Sequence, residues 1–231
     1  MISFVLFWYL LSVVAQQTPL STQPKLVVAH FMVGFTFPYT IADWSLDIRL
    51  AAAKGIDGFA LNVGRDDWQP QRVRDAYAAA KQLSPGITFK LFISLDMTSL
   101  PCSTAQDANR IRSYISDYRT HPNQLYYNGA PLLSTFSGEW CTFGQNGQNR
   151  LNAAWYYAIR DKQPSVSFIP AFFVDPKAFP SLNFIDGAFN WNSAWPMGNY
   201  NTSLAPDNEY TTQLRGRAYM AGISPWFFTL E

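Results

Sequence analysis

The sequence is short of the groups on which several common chemistries depend. It has two histidines and two cysteines in 231 residues, so no Cys/His ligand cluster exists and a zinc site is not expected. The formal charge is +1, only 14% of residues are charged, and no basic run is interleaved with aromatics. Nucleic acid is therefore not an expected partner. No glycine-rich phosphate loop follows the first apolar strand, which argues against a nucleotide cofactor. No serine elbow of the G-x-S-x-G kind occurs, which leaves an esterase without support. No cofactor is expected at all.

Aromatic residues are abundant instead: 8 Trp, 12 Tyr and 18 Phe. Most must fill a core, but a surplus of this size leaves room for a cleft in which rings stack on sugars. At 48% hydrophobic, 231 residues suffice for one large domain. Residues 2–15, ISFVLFWYLLSVVA, read as a secretory signal too brief to span a bilayer comfortably. Val13 and Ala15 supply the small residues before a cleavage point. The segment has no Lys or Arg, so a short N-terminal anchor is the alternative. Residues 16–24 form a polar lead-in, and 25–231 form the domain. Secretion permits disulfides. Cys102 and Cys141 both follow predicted strands, at the same end of a parallel sheet. One bridge there is the expectation, against two separate buried thiols.

From Lys25 onward the pattern alternates strand and helix. Strands are expected at 25–34, 56–63, 89–97, 130–136, 167–174, 185–191 and 223–229. Helices are expected at 41–54, 69–83, 104–118, 149–162 and 211–220, with a short Pro-bounded piece near 177–181 and a hairpin turn at Asn128-Gly129. Such alternation predicts an α/β fold, a (β/α)8 barrel of the TIM type, with an open doubly wound sheet as competitor. Only about seven βα units are present, so the barrel is expected to be incomplete.

Barrel chemistry sits at the C-terminal ends of strands. Those ends carry His30, Asn62, Asp66, Asp67, Asp96, Glu139, Asp175, Asn190, Trp191, Asn192 and Trp226. The set is rich in carboxylates, amides and tryptophan and poor in histidine and lysine, which fits sugar hydrolysis by paired carboxylates better than a nucleophile–histidine mechanism. Each residue has a plainer alternative. His30 fits a hydrogen-bonded core position, and Asp96 can bond to nearby hydroxyls. Glu139 fits a loop surface, and Asp175 before Pro176 fits a helix N-cap. Trp191 and Trp195 flank a polar loop and fit stacking on sugar. Asn201-Thr202-Ser203 is an N-glycosylation sequon.

Several stretches carry a family resemblance. HFMVG at 30–34, GIDGFALNVGRDDWQ at 55–69, FISLDMTSLPC at 92–102, residues 121–139, DGAFNWNSAWP at 186–196 and SPWFFT at 224–229 resemble fungal glycoside hydrolase family 71. The resemblance implies a secreted or wall-associated α-1,3-glucanase (mutanase), a monomer without a stable membrane anchor once its signal is cleaved. It implies a (β/α)8 barrel and hydrolysis of α-1,3-glucan with inversion. Asp66 matches a carboxylate expected to assist activity. His30, Asn62, Glu139, Trp191 and Trp195 match substrate-cleft positions; Asp67 and Asp96 join them as strand-end candidates.

One expected part is missing. The family's catalytic Asp and Glu are expected in a later Trp-Asn-Asp-x-Gly-Glu motif, and no Trp-Asn-Asp occurs in these residues. Three expectations follow: a glucanase sequence cut short, a non-catalytic glucan-binding remnant, or a fragment that does not fold stably.

Overall fold

The computed structural model describes residues 25–161, 165–194 and 201–224. The expected signal (1–15), the lead-in (16–24), Trp195, Trp226 and residues 225–229 of the last expected strand lie outside the described residues.

The elements in chain order are β1 (Val28–Met32), α1 (Ile41–Ala53), β2 (Gly58–Val63), α2 (Gln69–Leu83), β3 (Lys90–Asp96), α3 (Ala108–Tyr118), β4 (Tyr126–Tyr127), β5 (Ala130–Phe136), α4 (Arg150–Ile159), β6 (Ser167–Phe168), β7 (Gly187–Asn190), α5 (Ala205–Leu214) and β8 (Ala218–Ala221). Short 3-10 turns follow β1 and β7 and precede α3 and β7. Local chemistry sets the boundaries. Thr40 and Asp43 form a reciprocal capping box at the start of α1. Gly55, at φ 80°, adopts the left-handed conformation just after that helix ends. Pro70 stands in the first turn of α2, where its missing N–H is not needed.

The strands β1-β2-β3-β5-β6 pair in that order and run parallel. β4 folds back antiparallel on β5 across Asn128-Gly129. β7 and β8 form a second parallel pair. Backbone bonds from Asp186 to Phe168 and from Phe189 to Pro170 carry the order across from β6 to β7.

Two apolar clusters define the layers. The larger lies between the helices and one face of the sheet. Trp44 and Ile48 of α1, Val73 and Tyr77 of α2, Ile111 and Ile115 of α3 and Trp155 of α4 pack there with Phe59, Leu61, Leu91, Ile93 and Leu133. The smaller cluster occupies the other face. It joins Ala60, Phe92, Leu132 and Ile169 with Val28, Phe189, Ala218 and Met220. Residues of β1 and of β7 and β8 thus meet around one cluster, so the sheet curls with this face inside. Among the described residues β1 and β8 share no pairing, and these strands do not make a closed barrel. What the strands make is a curved parallel sheet within a mixed α/β fold.

Two expectations are corrected. The helix expected at 211–220 begins earlier, with α5 at Ala205–Leu214, and Ala218–Ala221 is strand. Arg215 and Gly216, both at positive φ, stop the helix there. Among the described residues β8 is the seventh parallel strand, and Ile223 and Ser224 are irregular. The strand expected at 167–174 shrinks to Ser167–Phe168, because Pro170 cannot donate to the ladder; a single bridge from Ala171 to Phe136 follows it.

Candidate active site

Strand register places the inward-facing side chains in layers. His30 pairs with Ala60, and Ala60 with Phe92; paired residues of parallel strands point to the same face. One layer toward the C-terminal ends, Met32, Asn62, Ser94 and Ser134 form a row. Asp96 pairs with Phe136 above it. The inner face thus changes along the strands from an apolar floor of Val28, Ala60, Phe92 and Leu132 to a polar and aromatic rim. A cleft of this kind supplies donors, acceptors and ring faces together.

Trp191, just past β7, crosses that rim. Its ring lies 5.1 Å from His30 on β1, edge-on, and 4.8 Å from Phe136 on β5. Two strands separate β1 from β5 in the sheet, so one indole spans the concavity. Beside it, a partly open cavity of about 150 Å³ is lined by Val28, His30, Ala60, Phe189, Trp191 and Met220, among others. His30 Nε2 is buried there without a hydrogen-bond partner. Burial lowers the His30 pKa below 6.5, and the charge of Asp96 opposes that shift. The imidazole is therefore neutral at neutral pH and able to exchange hydrogen bonds with a hydroxyl.

Asp66 stands in the turn between β2 and α2, and Gln69 holds it there. The Gln69 amide donates to Asp66 Oδ2 at 2.8 Å, while its carbonyl accepts from Gly64 N–H at 2.7 Å. Gln69 is 2% exposed, so this clamp works largely away from water. Ser99 Oγ, from the segment after β3, accepts from Arg65 N–H at 3.1 Å and ties the turn to its neighbour. Asp66 itself is exposed, as is Asp67 beside it.

Asp96 accepts from both the backbone N–H (3.0 Å) and the hydroxyl (2.6 Å) of Thr98 through Oδ1. That is the local hydroxyl bonding foreseen as its plainer role. Glu139 follows a strained turn, Ser137 at φ 60° and Gly138 at φ 112°. A side chain at Gly138 would stand 2.8 Å from Trp155 Cζ2, so the backbone passes where only glycine fits. The Trp155 indole donates to the Gly138 carbonyl at 2.9 Å. Ser137 Oγ donates to the Glu139 carboxylate at 3.1–3.2 Å, and Phe173 N–H reaches it at 3.4 Å. Cys141, two residues on, is joined to Cys102 with Cα atoms 5.1 Å apart.

The structure thus gathers His30, Asn62, Asp96, Glu139 and Trp191 at one end of the curved sheet, with Asp66 and Asp67 in the turn after β2. Asp175 stands apart, accepting from Lys177 N–H at 2.9 Å as an N-cap. Asn190 is buried and donates to the Tyr219 hydroxyl at 3.2 Å, while its Oδ1 has no partner. Asn201 is exposed. Sequence reasoning passed over Gln69, Ser99, Phe136, Trp155 and Phe173. The Asp66-x-x-Gln69 spacing, that of a capping box at a helix start, was the available signal for Gln69. No group of three or more His, Cys, Asp or Glu able to hold a metal occurs among the described residues.

The model of the family described as glycosyl hydrolase family 71 matches residues 23–230. The chain belongs to glycosyl hydrolase family 71. Curated relatives include the glucan endo-1,3-alpha-glucosidase agn1 of Schizosaccharomyces pombe, 40% identical over 91% of this chain and 49% of its own length. A mutanase of Penicillium rubens is 36% identical over 90% of this chain and 44% of its own. The ascus wall endo-1,3-alpha-glucanase of Schizosaccharomyces pombe is 32% identical over 89% and 47%. This family 71 chain spans about half the length of the curated relatives it matches. Among solved structures, the GH99 endo-alpha-mannosidase of Bacteroides thetaiotaomicron superposes with a TM-score of 0.64 at 13% identity, covering 86% of this chain and 69% of that one. That likeness speaks for the fold alone.

Proposed function

We propose that the protein is a glycoside hydrolase acting on α-1,3-glucan, and that the described residues form the substrate-holding wall of its cleft. The observation that carries this is the gathering of His30, Asp96, Glu139 and Trp191 at one end of the curved sheet, in a chain whose family relatives are named for α-1,3-glucan cleavage. The curved sheet is the larger arc of a (β/α)8 barrel. Trp191 stacks on a glucose ring while His30, Asn62 and the carboxylates bind hydroxyls, with Trp195 and Asp67 assigned as further substrate contacts. Asp66, fixed by Gln69, is an assisting carboxylate.

Hydrolysis with inversion needs one carboxylic acid at the leaving oxygen and one carboxylate activating water, about 6.5–9.5 Å apart. The expected Trp-Asn-Asp-x-Gly-Glu pair has no counterpart in these residues, so the part assigned to them is binding and orientation of the glucan. Processing of 1–15, action as a monomer at the cell wall or outside the cell, and a glycan on Asn201 complete the reading. Co-sedimentation of the full chain with insoluble α-1,3-glucan, followed by assay of released reducing sugar, tests it. Retention on α-1,3-glucan but not on cellulose is the expected result. Absence of retention would overturn the assignment.

A further inference from the structure

Beyond the cleft itself, the segment after β1 presents an aromatic surface that the reading above leaves unused. Met32, the last residue of β1, faces inward at the rim in register with Asn62. Phe35 and Phe37 follow it and are 79% and 67% exposed. Phe37 does not stand alone: its ring meets that of Trp68, just past β2, edge-on at 5.3 Å. Trp68 is fixed in turn by its place at the head of α2, where its carbonyl accepts from Gln71 and Arg72 N–H. Trp68 is itself half-buried, so the surface open to a ligand is mainly the Phe37 ring together with the uncovered part of the indole.

We infer that Phe37 and Trp68 form an outer stacking subsite for an α-glucan chain, on the β1–β2 side of the cleft and away from its Glu139 and Trp191 side. Continuity chooses the occupant. Met32 and Asp66 connect the pair to the cleft along the ends of β1 and β2, the exposed carboxylates Asp66 and Asp67 adjoin Trp68, and aromatic faces flanked by hydroxyl-binding groups suit the alternating faces of a pyranose. A protein partner would be expected to need a wider apolar patch. The inference rests on the proposed function, and the test separates the two.

Binding of short and long α-1,3-linked gluco-oligosaccharides to the full chain is measured by calorimetry, for the natural sequence, Phe37→Ala, Trp68→Ala and Trp68→Phe. A distal subsite predicts that the alanine variants lose about threefold to tenfold in affinity for long chains and nothing for the shortest, with Trp68→Phe in between. Unchanged thermal unfolding of Phe37→Ala guards against misfolding, since that ring is mostly solvated. Equal affinity of all variants for long chains would overturn the subsite while leaving the cleft intact. Equal losses for short and long chains would overturn it too, by placing the rings inside the cleft proper. If the natural sequence binds neither length, the proposed function falls and the subsite with it.

Discussion

His30 responds to acid differently from a surface histidine, because burial already holds its pKa below 6.5 while the unfolded chain titrates near that value. Above 6.5 both states are neutral and the fold keeps its full stability. As pH falls below 6.5 the unfolded state takes up the proton first, and stability declines until pH passes the lowered folded pKa. His121 is lowered in the same direction, by burial and by Lys81 and Lys90. The melting temperature should therefore fall between about pH 7.5 and about pH 5.5. His30→Gln should fall less over that range, and His121→Gln measures the second contribution. Equal falls for the natural sequence and His30→Gln would locate the proton uptake elsewhere. The strand-end carboxylates and Trp191 were legible in the sequence because each stands where an apolar run stops. Gln69 and the Ser137-Gly138 strain were not. A side chain that works by holding another, or a backbone angle, leaves little trace in residue type.

At the scale of elements, the bridge between Cys102 and Cys141 ties the segment after β3 to the one after β5 across 39 residues. Closing a loop of that length restricts the unfolded chain by up to about 4 kcal/mol in the entropic account. Three backbone bonds already join the same segments, from Thr142 and Phe143 to Cys102 and from Gly144 to Ser103. Removing the bridge should thus destabilise without dissolving the loop. Denaturant unfolding of the Cys102→Ser, Cys141→Ser double variant should show a loss of about 2–4 kcal/mol. A change below about 0.5 kcal/mol would mean that the backbone bonds suffice alone. The helices were the most readable elements. α2 runs over the predicted residues 69–83, since Pro70 and the spacing of Val73, Ala76, Tyr77 and Ala80 agree on one buried face. The end of the chain misled for a physical reason: Ala218–Ala221 is too short for alternation to declare a strand, and the Arg215-Gly216 reversal hides inside a helical spacing.

For the molecule as a whole, stability should grade across the sheet. All six residues of β2 are buried, and so are most of β3 and β5, whereas β1 and β8 are at best half-buried. Amide hydrogen exchange should then be slowest in β2, β3 and β5 and faster in β1 and β8. Uniform protection from β1 to β8 would mean that some further contact covers the open edges. The parallel α/β class was legible from alternation alone, but curvature was not, because it lies in which side chains share the inner cluster.

The strand order has a further consequence, for how the molecule is made. Within each of the two sheets, every parallel strand among the described residues pairs with a parallel strand close to it in the chain, so that Val28 meets Gly58 and Gly187 meets Ala218, each about 30 residues away. Among the described residues, no strand pairing has to wait for a distant segment to be synthesised. A chain emerging from the ribosome can lay each strand and its helix onto the growing edge as they appear. The Asn128-Gly129 hairpin is the one place where that vectorial assembly turns back on itself among the described residues.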